Sequence, residues 1–172
     1  LDNLTGYERY IYDLFPKGTG YLNFDNNSFI KVNDYAGSSY PELSRKRTGE
    51  TVLDPGSKSI EFDFHVFSPS VVNDNQIIAQ KIQNETHGIT IALSQSASAV
   101  NANLLFTIVS GSSILEVTSS INKNEFNHVV AQYNRDPGEN KLYLYVNKKL
   151  KVTSSNQIDI GNLSFETAPL YI

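Results

Sequence analysis

Ile60-Glu61-Phe62-Asp63-Phe64-His65-Val66 alternates apolar and polar residues without a break. Successive side chains of an extended chain point to opposite faces. Ile60, Phe62, Phe64 and Val66 therefore share one face, and Glu61, Asp63 and His65 share the other. A strand of this kind lies on a core with one face and meets water or a partner with the other. Lys141-Leu142-Tyr143-Leu144-Tyr145-Val146 repeats the arrangement, setting Leu142, Leu144 and Val146 against Tyr143 and Tyr145. The pattern predicts that Phe62, Phe64, Leu142, Leu144 and Val146 are buried between two sheets.

Outward from these two runs the chain keeps the same character. Strands are predicted at residues 21–24, 28–32, 59–67, 76–82, 88–93, 103–110, 114–119, 127–133, 141–146 and 148–154. Turn formers such as Asp25-Asn26-Asn27, Asn73-Asp74-Asn75 and Arg135-Asp136-Pro137-Gly138 separate them. Residues 35–58 carry little periodicity and read as a long loop with room for one short edge strand. No repeat at the period of a propeller or solenoid is visible. So many short alternating strands predict an all-β, two-sheet antiparallel sandwich or jelly roll. The start of the chain differs: Tyr7, Tyr10, Ile11 and Leu14 follow helical spacing until Pro16 and Gly18. Residues 1–19 are read as a leader or linker with a short helix, and residues 20–172 as the domain.

Composition narrows the functional classes. Of 172 residues, 40% are hydrophobic, which is enough for one sizeable core and too short a chain for two. With no Cys, a disulfide framework and a thiolate metal site are excluded. A net charge of −4 opposes a nucleic-acid partner, which calls for a basic face. The basic cluster Arg45-Lys46-Arg47 lies in a polar stretch and reads as a solvated loop. No apolar run approaches the length of a membrane-spanning helix.

Glu125-Phe126-Asn127-His128-Val129-Val130-Ala131-Gln132-Tyr133, followed by the run from Lys141 through Asn147-Lys148-Lys149-Leu150, resembles the laminin G-like branch of the concanavalin A-like domains. Gly20-Tyr21-Leu22-Asn23-Phe24-Asp25, Ser59-Ile60-Glu61-Phe62-Asp63-Phe64, Gln76-Ile77-Ile78-Ala79-Gln80-Lys81 and Pro169-Leu170-Tyr171-Ile172 follow in the family's order. Phe126 and Phe64 stand where the family has Trp. The family continues past the last of these motifs with a glycine turn and a closing strand, so the resemblance implies a sandwich lacking its last strand. The leader, or a second copy pairing through the open edge beside residues 21–24, is then expected to cover the gap. Residues 1–12 resemble, more loosely, lead-in segments of tailed-phage virion proteins, which carry such modules as binding domains. The implied setting is extracellular or virion.

Residues with chemical potential fall into four groups. Glu61-Phe62-Asp63-Phe64-His65 resembles the Glu-x-Asp-x-Glu strand of laminarinase-type glucanases, but His65 stands at the third acidic position. Retaining hydrolysis needs two carboxyl groups with one kept protonated, so a non-enzymatic domain is expected; the alternative is a glucanase-like hydrolase using Glu61 and Asp63. His65, His87 and His128 lack ligand spacing in sequence, which disfavours zinc. Oxygen-rich turns at Asp25, Asn73, Asp74 and Asp136 are the candidates for calcium, though the same residues are ordinary turn formers. No other cofactor is expected. For glycan binding, Tyr35 and Tyr40 in the long loop and Tyr143 and Tyr145 on an outward face are the candidate aromatics. The expected function is a binding or structural module that recognises glycan or protein through loops at one end of the sandwich.

Overall fold

The structure is a computed structural model and describes residues 22–23, 28–33, 55–136, 139–155 and 158–172. Ten strands follow in order: β1 (Lys31–Val32), β2 (Ile60–Ser68), β3 (Gln76–Asn84), β4 (His87–Ser94), β5 (Asn101–Ser110), β6 (Ser113–Asn122), β7 (Glu125–Asn134), β8 (Lys141–Val146), β9 (Lys149–Thr153) and β10 (Leu170–Tyr171). They form a six-stranded sheet, β1-β10-β3-β4-β5-β6, and a four-stranded sheet, β2-β7-β8-β9. Every pairing is antiparallel. The two sheets pack face to face as a β-sandwich, and no helix occurs among the described residues. None of those residues forms a helix long and apolar enough to cross a membrane.

Alternation places the core. Ala102, Leu104, Phe106 and Ile108 of β5 are fully buried, as are Val129, Ala131 and Tyr133 of β7 and Leu142 and Leu144 of β8. Leu115, Val117 and Ile121 of β6 and Ile89, Ile91 and Leu93 of β4 complete the layer. Their neighbours in sequence point outward and stay wholly or partly accessible.

Of the five side chains predicted between the sheets, Leu142, Leu144 and Val146 are buried as expected. Phe62 and Phe64 pack on the same core but remain partly accessible. The reason is position: β2 is the first strand of its sheet and is paired only with β7 among the described strands.

Tight turns set the registers. The β5–β6 loop is Gly111-Ser112 with Gly111 at φ +62°, the type II′ arrangement that matches strand twist. The β8–β9 loop is Asn147-Lys148 with φ +51° and +66°, the two positive values of a type I′ turn.

Leu170–Tyr171, expected as the start of a late strand, lies inside the six-stranded sheet between β1 and β3. The ladder runs on through Ile30 and Ile172, which exchange backbone hydrogen bonds of 2.7 and 2.9 Å. The segment before it, with no strand of its own, carries Ile160, Leu163 and Phe165 into the core. Leu163 and Gly56 exchange backbone bonds of 3.0 and 2.9 Å, and the buried Lys81 donates its Nζ proton to the Ala168 carbonyl. The predicted strand over residues 28–32 is confined to Lys31–Val32. The predicted leader helix lies outside the described residues, as does the edge beside residues 21–24 apart from Leu22 and Asn23.

Candidate functional site

The outward side chains of the four-stranded sheet line up in rows dictated by register. Phe67 of β2 stands opposite Phe126 of β7, and His65 stands opposite His128. Asp63 pairs with Val130, which pairs in turn with Tyr145 of β8 and then Leu150 of β9. Glu61, Gln132, Tyr143 and Thr153 form the next row. Alternation sets Glu61, Asp63 and His65 on the polar face of β2, and Tyr143 and Tyr145 on the outward face of β8. The register makes these a single face.

A shallow depression on this face is lined by Glu61, Val130, Gln132, Tyr145 and Lys148. Gln132 donates its amide to Glu61 Oε2 at 3.3 Å, so the carboxylate and the amide form one polar wall. Tyr145 supplies an aromatic ring beside them. Lys148 completes the lining from the second position of the type I′ turn. That position ordinarily takes glycine, because a side chain at positive φ crowds the backbone. A lysine held there is a strained residue at a surface depression, the kind of outlier that accompanies binding sites.

Tyr143 lies next to the depression, one residue pair along β8. Its hydroxyl donates a short hydrogen bond to Glu139, and the nearby carboxylate pushes the phenol up to about 12. With its hydroxyl engaged, the residue presents its ring.

One row along from Glu61, Asp63 Oδ1 lies 2.7 Å from His128 Nε2. The backbone N–H of His128 donates to Asn147 Oδ1 at 3.0 Å, which ties this residue to the β8–β9 turn. His65 packs on the imidazole of His128, with ring centroids 4.8 Å apart. The third position of the glucanase-like motif is thus an imidazole packed on another imidazole.

Among the described residues, Asp74 and Asp136 are not brought together. Asp74 Oδ1 accepts from Ser94 Oγ at 2.8 Å and from the Gln95 N–H at 3.1 Å, which holds its carboxyl below the usual carboxylate range. Asp74 therefore ties the loop before β3 to the end of β4. Asp136 sits in an Asn134-capped turn at the end of β7, its N–H donating to Asn134 Oδ1 at 2.9 Å. Asp74 follows the end of β2, which pairs with the start of β7, so the two carboxylates lie at opposite ends of the sandwich. Among the described residues no group of three or more His, Cys, Asp or Glu side chains is placed to hold a metal ion. Asp25, Tyr35 and Tyr40 lie outside the described residues.

Gln132, Val130 and Lys148 were not singled out from sequence. The inward–outward alternation of β7 signals the first two; the lysine's conformation has no signal in composition. No family model matches the chain, and no curated protein is significantly similar to it.

Proposed function

We propose that this domain is a non-catalytic binding module of a larger extracellular or virion protein, and that it holds a glycan on the outer face of its four-stranded sheet. The observation that carries the reading is Lys148, kept at φ +66° in the lining of a depression it shares with Glu61, Gln132 and Tyr145. Sugar recognition needs an aromatic ring against the apolar face of a pyranose and fixed polar groups for its hydroxyls. Tyr145, with Tyr143 beside it, supplies the first requirement. Glu61, Gln132 and Lys148 supply acceptors and donors already positioned on strands and a tight turn. The depression is shallow and open, which suits a chain lying across the sheet better than a small substrate enclosed for reaction.

The resemblance to laminin G-like modules agrees with this reading but moves the contact from loops at one end to a sheet face. The pairing of Asp63 with His128, and the imidazole at the third motif position, favour binding over glucan hydrolysis.

A glycan array followed by calorimetric titration of the best oligosaccharide tests the proposal. Binding is expected, with loss of at least tenfold in Tyr145→Ala and in Gln132→Ala. Incubation of the wild-type protein with β-1,3- and β-1,4-glucans is expected to release no reducing sugar above a Glu61→Gln control. Absence of any glycan ligand, or turnover that disappears in that control, would overturn the reading.

A further inference from the structure

We propose that His65 and His128 form a two-imidazole site for a borderline transition-metal cation, Cu²⁺ above all, with Asp63 as the carboxylate that orients His128. The two histidines are 63 positions apart in the chain and are brought face to face by the β2–β7 register. Their ring centroids are 4.8 Å apart and their planes are tilted by 35°. A metal–imidazole nitrogen bond is about 2.0–2.1 Å, and the ring centre lies roughly 1.2 Å further on. Two imidazoles on one ion, at an N–metal–N angle of about 90–110°, then have centroids about 4.5–5.2 Å apart. The observed spacing falls inside that window without moving either strand.

The surroundings fit the same chemistry. A carboxylate that accepts the second N–H of a ligating imidazole fixes its tautomer and raises its basicity. Asp63 Oδ1, 2.7 Å from His128 Nε2, is placed to do so, which leaves the lone pair of His128 on Nδ1. The charge of Asp63 also offsets that of a bound cation. The Asn147 side chain holds the His128 backbone, so one ligand is braced from both sides. No described residue hydrogen-bonds the ring of His65, which leaves its nitrogens for an ion. His128 is 26% exposed and Asp63 60%, so the site is open from solvent. With two protein ligands only, the remaining coordination positions belong to water or to an incoming donor.

The site borders the proposed glycan surface through the Asp63–Val130 pair, and the copper titration tests it with no glycan present. Calorimetric titration of the tag-free protein with CuCl₂ is expected to find one ion per chain. His65→Ala or His128→Ala should weaken binding at least tenfold and Asp63→Asn by about tenfold. His87→Ala, which alters the histidine hydrogen-bonded to Thr86 at the β3–β4 turn, should leave binding unchanged. Electron paramagnetic resonance of the copper-loaded wild-type protein should show coupling to two imidazole nitrogens, a readout that needs no variant to fold. A single coupled imidazole, no binding up to millimolar copper, or equal loss in His87→Ala would overturn the assignment.

Discussion

Phe62 of β2 meets Phe106 of β5 edge-on across the sandwich, with ring centroids 6.3 Å apart and planes at 74°. Phe106 is fully buried on β5, flanked by β4 and β6, whereas Phe62 sits on the first strand of the other sheet. Truncation of a fully buried phenylalanine leaves a cavity that its neighbours fill only in part, so Phe106→Ala should cost about 3–5 kcal/mol. Phe62→Ala should cost clearly less, since part of its surface is already in water. Urea unfolding of the two variants checks the order. Equal losses would contradict the placement of β2 at the margin of its sheet.

Asn127 should prove as sensitive as many apolar core residues. It is fully buried, its Nδ2 donates to the Asn122 carbonyl at 2.8 Å and to that of Glu125 at 3.3 Å, and its Oδ1 accepts from the Asn122 N–H at 3.3 Å. Asn127→Ala strands these backbone groups beside the β6–β7 turn, at a cost of roughly 1–3 kcal/mol. The loss should appear as a lower urea midpoint with an unchanged denaturant slope. A neutral substitution would mean that water replaces the amide.

Lys148 separates stability from binding. Lys148→Gly relieves a side chain at φ +66° in a type I′ turn and should stabilise the fold by roughly 0.5–1 kcal/mol. The same change removes the cationic lining of the depression and should weaken glycan binding. Unfolding midpoint and titration on one protein sample give both numbers. A variant that is destabilised, or that binds as well as wild type, would remove Lys148 from the site.

Tyr143 gives a pH signature. Its phenol is raised from 10.0 to about 12, first by the hydrogen bond it donates to Glu139. The folded state favours the protonated phenol, so this contribution to stability is complete below pH 10 and is lost as pH rises through about 12. In a tyrosinate absorbance titration, Tyr143→Phe should remove a late-ionising phenol, and Glu139→Gln should bring it back toward the ordinary value. An unchanged late phase in both variants would contradict the contact.

Much of the fold was legible because burial on one face imposes a period of two. The predicted limits of the strand over residues 141–146 and the structure agree. The runs around Ile60–Ser68 and Glu125–Asn134 differ from expectation by one or two residues at each end. What alternation cannot carry is which strand lies beside which. His65 and His128 read as unrelated histidines until β2 and β7 are paired, and Tyr145 reads as one outward tyrosine until Glu61 and Gln132 stand next to it. Ile160, Leu163 and Phe165 escaped notice for another reason. They reach the core from a segment outside the named strands, whose turn has Gly161 at φ +67° and whose backbone pairing is a single bridge to Gly56.

The most direct test of the glycan-binding face is a chemical-shift map of the isotopically labelled domain titrated with its best oligosaccharide. Perturbations are expected to centre on Glu61, Val130, Gln132, Tyr145 and Lys148, extending to Tyr143 and fading toward the Phe67–Phe126 end. Perturbations centred instead on the outward residues of β5 and β6, on the other side of the sandwich, would contradict it.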